Sequence, residues 1–227
     1  MSLLLNIDTA IDTAYISIAK NGIILEEVSN KDQKEHAAFL QPAIQLIAKK
    51  AGISLRELDA IAVVSGPGSY TGLRVGMASA KGLCYALKKP LITITTLKIL
   101  TYQIIEEMDI SAITNNTLFC PMIDARRMEV FTTIYNKALN IELLPCSMIV
   151  DENSFSNFLF HNNIFFFGNG APKCENILRH KNAHFKNSIY NPLYMSILAN
   201  EEFKKKQFSE LAYTEPFYIK EFYNLVN

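Results

Sequence analysis

The chain has no surplus of either charge: 22 Lys and Arg stand against 22 Asp and Glu in 227 residues. A bulk nucleic-acid binder needs excess cations to neutralise phosphate, so any RNA contact must be local or shared with a partner. There is no C-x-x-C pair. The four cysteines, Cys84, Cys120, Cys146 and Cys174, lie far apart, as expected of reduced thiols in a cytoplasmic protein and not of disulfides or a zinc site. No apolar run approaches the roughly 18 residues that suggest a membrane span. The N-terminal MSLLLNID lacks a basic region and meets Asp8 too early for a signal peptide. A soluble protein without membrane contact is expected. Tryptophan is absent, yet 49% of the residues are apolar, enough for one large domain or two small lobes.

The most informative stretch is Val64 to Lys81, VSGPGSYTGLRVGMASAK. A β-branched run from Ala60 to Val64 predicts a strand, Gly66-Pro67-Gly68 a tight turn, and the following residues a helix from about Thr71. This order aims backbone N–H groups and a positive helix end at whatever lies in front. Two phosphate motifs fail on inspection. A Walker A loop needs a lysine where Leu73 stands. The dinucleotide fingerprint needs its third glycine one place before Gly72, and the strand Leu91 to Thr96 ends without the expected acid. Along the helix, Gly72, Gly76, Ala80 and Cys84 recur every four residues. Glycine inside a helix costs about 1 kcal/mol against alanine, so this small-residue stripe implies close approach of another backbone, in this chain or in a partner. Arg74, Lys81 and Lys88 share the opposite face, either as a solvated basic edge or as an RNA or phosphate contact.

The chain also repeats itself. Leu3 to Ile7 reads as a buried strand ended by Asp8, then comes an alternating strand, Asn21-Gly22 as a hairpin turn, and a third strand to Val28. His36 to Lys50 has helical spacing and ends at Gly52. Leu118 to Ile123 is likewise a strand ended by Asp124, followed by two strands around a turn near Lys137. The distance from Asp8 to Asn21 equals that from Asp124 to Lys137, thirteen positions. Ile164 to Phe167 runs into Gly168-Asn169-Gly170 as Ala60 to Val64 runs into Gly66-Pro67-Gly68, and a helix is expected after each. Two such lobes describe an α/β, actin-like or Hsp70-like (ASKHA, ribonuclease H-like) fold with a duplicated mixed sheet. The expected lobes are residues 1–102, completed by the C-terminal segment 208–227, and 103–207. In that architecture a nucleotide sits in a cleft lined by an Asp loop from each lobe and by glycine turns. The corresponding residues here are Asp8, Thr9, Gly66, Gly68, Ser69, Asp124, Arg126, Gly168 and Gly170.

GPGSYTGLRVG, from Gly66 to Gly76, resembles the signature of the TsaB (YeaZ) family. The N-terminal LNIDT, His36 with its following Gln41-Pro42, IDARR with Glu129-Val130, FFGNGA at Phe166 to Ala171, and the C-terminal PFYIKEF are similar as well. The resemblance implies a noncatalytic subunit. It binds a TsaD-type catalytic paralogue, is joined by a TsaE-type ATPase, and serves threonylcarbamoylation of the tRNA adenosine beside the anticodon. It further implies docking through the glycine-turn helix and its neighbour, toward TsaD or toward a second copy when alone. The residues that carry this over are Gly72, Arg74, Gly76, Ala80, Cys84, His36 and Leu40. Three details depart from the family pattern: Ala37-Ala38 replaces Ser-Glu, Met128 replaces glycine, and Tyr70 replaces Phe.

No cofactor and no metal are expected. The H-x-x-x-H metal pair of TsaD-type proteins is missing, because Leu40 stands four residues after His36. Asp8 is followed by Thr9, Ala10, Ile11 and Asp12, without the glycines that let an actin-like loop wrap phosphate. Weak ATP or ADP binding is then expected only within the complex. Asp8 and Asp124 are either paired carboxylates or turn caps. Arg126 and Arg127 are exposed loop charges or contacts to a partner or tRNA. Lys204 to Lys206 form a solvated helix face, and Phe217, Tyr218, Phe222 and Tyr223 pin the C-terminal segment onto the core. An autonomous actin-like ATPase or kinase, and a metallopeptidase, are the alternative readings.

Overall fold

The computed structural model describes residues 1–32 and 35–220. Phe222 and Tyr223 lie outside the described residues. Two compact units emerge, Met1–Ile99 with Asn191–Phe217, and Leu100–Tyr190 with the described residues 218–220.

In the first unit, β1 (Leu3–Asp8), β2 (Ala14–Lys20), β3 (Ile23–Asn30), β4 (Ala60–Gly66) and β5 (Leu91–Thr95) form one sheet in the order β3-β2-β1-β4-β5. β1 pairs antiparallel with β2 and parallel with β4. β1 and β4 are nearly continuous apolar runs because both faces of the central strands are covered. The edge strand β3 alternates between exposed and half-buried residues. Asn21 (φ 54°) and Gly22 (φ 86°) make the β2–β3 turn, both left-handed as a two-residue hairpin requires. Helices α1 (His36–Lys50) and α2 (Tyr70–Leu87) follow β3 and β4. Leu40, Ile44 and Ile47 of α1 and Met77, Ala80 and Cys84 of α2 enter the same core as Leu5, Ile7, Ile61 and Val63.

The second unit holds β6 (Thr117–Asp124), β7 (Glu129–Asn136), β8 (Ile141–Ile149), β9 (Asn163–Phe167) and β10 (Ala183–Phe185), in the order β10-β9-β6-β7-β8. β6 pairs antiparallel with β7 and parallel with β9, as β1 does with β2 and β4. The two sheets therefore have one topology, and the fold is the duplicated, mixed-sheet, actin-like one. Its helices differ. The short α4 (Ser156–Leu159) takes the place of α1. The helix expected after Gly170 is only a 3-10 turn at Pro172–Cys174, with proline at its start.

Helix α3 (Thr96–Glu107) runs from the first unit into the second, and α5 (Pro192–Lys204) belongs to the first. This corrects the expected limits of the second lobe, 103–207. Met195, Leu198 and Ala199 of α5 are buried. Asn6 Nδ2 donates to Ser196 Oγ (2.9 Å) and Ser17 Oγ (3.1 Å), and Ser2 Oγ donates to Asn200 Oδ1 (2.6 Å). Buried polar groups usually need partners, and Ser2, Asn6 and Ser17 of the first unit supply them to this face of α5. Residues 209–217 also stay with the first unit: Ser209 N donates to Leu91 O (2.8 Å) and Phe217 N to Ser65 O (2.7 Å).

Candidate functional site

The N-terminus of α2 is engaged by its own chain. Ser69 caps the helix, its Oγ accepting from Gly72 N (3.3 Å) and its carbonyl from Leu73 N (2.8 Å). Ser69 N itself donates to Ala10 O (2.7 Å), and Thr9 Oγ1 donates to Gly72 O (2.7 Å). The glycines explain how the loop after β1 comes this close. A Cβ on Gly68 would stand 2.1 Å from Ala10 O, and one on Gly72 2.0 Å from Thr9 O. Gly66 (φ 113°) would meet Phe217 O at 2.8 Å. The turn that looks like a phosphate cradle in sequence is filled by residues 9, 10 and 217.

The small-residue stripe has the same explanation. Gly72, Gly76, Ala80 and Cys84 are all buried. A Cβ on Gly76 would lie 2.4 Å from Thr9 Oγ1 and 3.6 Å from side chains of Ile7 and Val63. The stripe thus faces its own sheet, which corrects the assignment of these four residues to a docking surface. His36 and Leu40 are buried too, and neither ring nitrogen of His36 has a hydrogen-bond partner among the described residues. Arg74 alone of the expected docking residues points outward, its guanidinium 4.2 Å from the Tyr70 ring centroid. Lys81 is not part of a free basic edge: its Nζ donates to Ala212 O (3.1 Å) and Thr214 O (2.9 Å).

What α2 does present outward is Thr71, Arg74, Ala78, Gly82 and Tyr85, the last 81% exposed. α1 packs alongside and exposes Ala37, Ala38 and Gln41, with Gln41 Nε2 donating to Ser79 Oγ (3.2 Å). Ala37, Ala38, Ala78 and Gly82 give this face small side chains, and Arg74 is the one charge among the residues named. Sequence reasoning missed it because the buried glycines drew attention first. The signal was available at positions 71, 78, 82 and 85, one helical face without an acid or lysine.

In the second repeat, Asp124 Oδ1 accepts from Arg126 N (3.0 Å), as Asp8 Oδ1 accepts from Ala10 N (2.9 Å). Each carboxylate closes the turn at the end of its strand. Lys173 Nζ donates to Asp124 Oδ1, and to Arg127 O (2.8 Å) and Glu129 O (2.7 Å). This ammonium holds the Asp124 carboxyl below its usual range. Gly168 (φ 96°) and Gly170 approach the end of β6, where a Cβ would lie 2.4 Å from Met122 O and 2.9 Å from Ile123 C respectively. Gly170 N donates to Met122 O (3.0 Å) and Asp124 N to Asn169 Oδ1 (2.9 Å). The thiols are no better placed for chemistry: burial pushes Cys84 up to about 12 and raises Cys120 further. A nucleophilic cysteine needs the opposite shift. Among the described residues no group of three or more His, Cys, Asp or Glu could hold a metal ion, and no helix is long and apolar enough to cross a membrane.

The family model for TsaD, tRNA N6-adenosine threonylcarbamoyltransferase, matches residues 17–214. The chain belongs to this family, on its TsaB (YeaZ) branch. It is 36% identical to the tRNA threonylcarbamoyladenosine biosynthesis protein TsaB of Buchnera aphidicola from Schizaphis graminum, over 44% of this chain and 48% of that one. The chain thus spans about half the length of that relative. Against the Haemophilus influenzae TsaB it is 26% identical over 96% of this chain and 93% of that one. The solved structure of YeaZ from Pseudomonas aeruginosa superposes with a TM-score of 0.78 at 23% identity, over 96% of this chain and all of that one, a likeness of fold.

Proposed function

We infer that this TsaB-branch chain is a noncatalytic partner subunit in the formation of threonylcarbamoyladenosine on tRNA. It docks onto a TsaD-type catalytic paralogue, and a TsaE-type ATPase joins the pair. Family membership supports the pathway, and one structural observation supports the role: residues 9 and 10 fill the glycine turn, leaving the α2 N-terminus tied to its own chain and not poised for a phosphate. The docking surface is the outward face of α1 and α2, where Ala37, Ala38, Ala78 and Gly82 let another backbone approach. The same face accounts for a homodimer when the chain is alone.

Sedimentation of the chain, alone and mixed with its own organism's TsaD-type paralogue, tests this reading. A one-to-one complex is expected, weakened tenfold or more by Gly82→Trp or Ala78→Arg and left intact by Gly82→Ala. Calorimetry with ATP is expected to give no heat of binding for the isolated chain. Failure to associate at micromolar concentration, with and without nucleotide and the TsaE-type ATPase, overturns it.

A further inference from the structure

Charge is segregated in the second unit although the chain as a whole is neutral. From Asn153 to Tyr190 the single acid is Glu175, while Lys173, Arg179, Lys181 and Lys186 supply cations. Lys173 is committed to Asp124. The other three surround β10, the edge strand of the sheet, and none of them forms an ion pair among the described residues. Arg179 donates its Nε to Asn176 O (3.0 Å), and Lys181 is exposed. Lys181 and Lys186 flank the two ends of β10.

One exposed aromatic ring lies on the turn that meets the start of β10. Asn182 Nδ2 donates to Leu159 O (2.8 Å) and Asn182 O accepts from Ile164 N (2.9 Å), which brings the turn after α4 against the start of β10. That turn exposes Phe160 by 77%, its ring 4.7 Å from and edge-on to His161. Cations without counter-ions bind phosphate, and an exposed ring beside them offers a stacking surface to an unpaired base.

We propose that the β10 edge of the second unit is an RNA contact, with Arg179, Lys181 and Lys186 on phosphates and an unpaired base on Phe160. The proposal rests on the preceding functional reading for the choice of RNA among polyanions. The neutral whole makes the contact local and of modest affinity, suited to steering a tRNA that a partner subunit also holds.

Fluorescence anisotropy of the full chain with a labelled, unmodified tRNA transcript, over a series of salt concentrations, tests it. Three cations on single-stranded phosphates give a log–log salt slope of about −2. The variant R179Q/K181Q/K186Q is expected to lose tenfold or more in affinity at low salt and most of that slope. Phe160→Ala is expected to lose about fivefold or more at unchanged slope. All four positions carry exposed or half-buried side chains, and thermal melts check that the variants stay folded. Labelled polyglutamate serves as the second probe. Equal binding of polyglutamate, with indifference to Phe160→Ala, assigns the patch to an acidic protein and overturns the proposal. So does absence of tRNA binding by the full chain at low salt. Sedimentation of the same variants with the TsaD-type paralogue separates the two readings. RNA binding without docking sinks the proposed function alone, and docking without RNA binding sinks this inference alone.

Discussion

Gly72 and Gly82 sit on one helix and are glycine for opposite reasons. Gly72 has the Thr9 carbonyl where its Cβ would be, whereas a Cβ on Gly82 would meet nothing within 4 Å. Gly72→Ala must push backbone against backbone, and overpacking of this kind costs about 3 kcal/mol or more when neither side can yield. Gly82→Ala gains helix propensity on an open face and should stabilise by about 1 kcal/mol. Urea unfolding of the two variants gives the comparison, and shifts of the same sign would refute it. The sequence spaced the buried small residues correctly at intervals of four. It did not say whether the neighbouring backbone was the chain's own, because that neighbour is Thr9, 63 positions away.

At the scale of the element, the β6–β7 turn shows how a hairpin is held without the residues that favour it. Arg126 (φ 70°) and Arg127 (φ 46°) are both left-handed, a conformation that costs a residue with a Cβ roughly 1–2 kcal/mol. The hairpin at Asn21-Gly22 was legible in the sequence because its turn chemistry is local. A turn at Arg126-Arg127 was legible too, after the strand-ending Asp124, but not its left-handed backbone, since Lys173 ties down the Arg127 and Glu129 carbonyls from 46 and 44 positions away. The surrounding charges set an acid limb. Lys173 beside Asp124, and Lys220 with Ser147 on Glu129, hold both carboxyls below their usual ranges. A depressed carboxylate contributes stability that is present above its ordinary pKa and lost as pH falls through its folded-state value. The melting temperature should therefore fall on acidification through and below the ordinary carboxylate range. Lys173→Met should lower it at neutral pH and make that fall shallower. An unchanged acid limb in scanning fluorimetry would show that Lys173 does not set it.

For the whole molecule, a formal net charge of zero and an isoelectric point near 6.9 leave little electrostatic repulsion between copies at neutral pH. Light scattering should show self-association strongest near pH 7 and weaker two pH units to either side; a pH-independent signal would assign association to apolar contact alone. By itself the sequence determined the duplicated order of strands, the aspartates that end β1 and β6, the glycine turns and the family, since each rests on local periodicity or a contiguous signature. It also contained the acid-poor stretch around β10, but as a line of residues with no indication that Phe160 stands beside it. Only the tertiary structure decided that the glycine turn is filled by the loop after β1, that the small-residue stripe faces inward, and that α5 joins the first unit. Those outcomes depend on which backbone reaches a given helix face across many tens of residues, and no pattern within the helix itself encodes the identity of its neighbour.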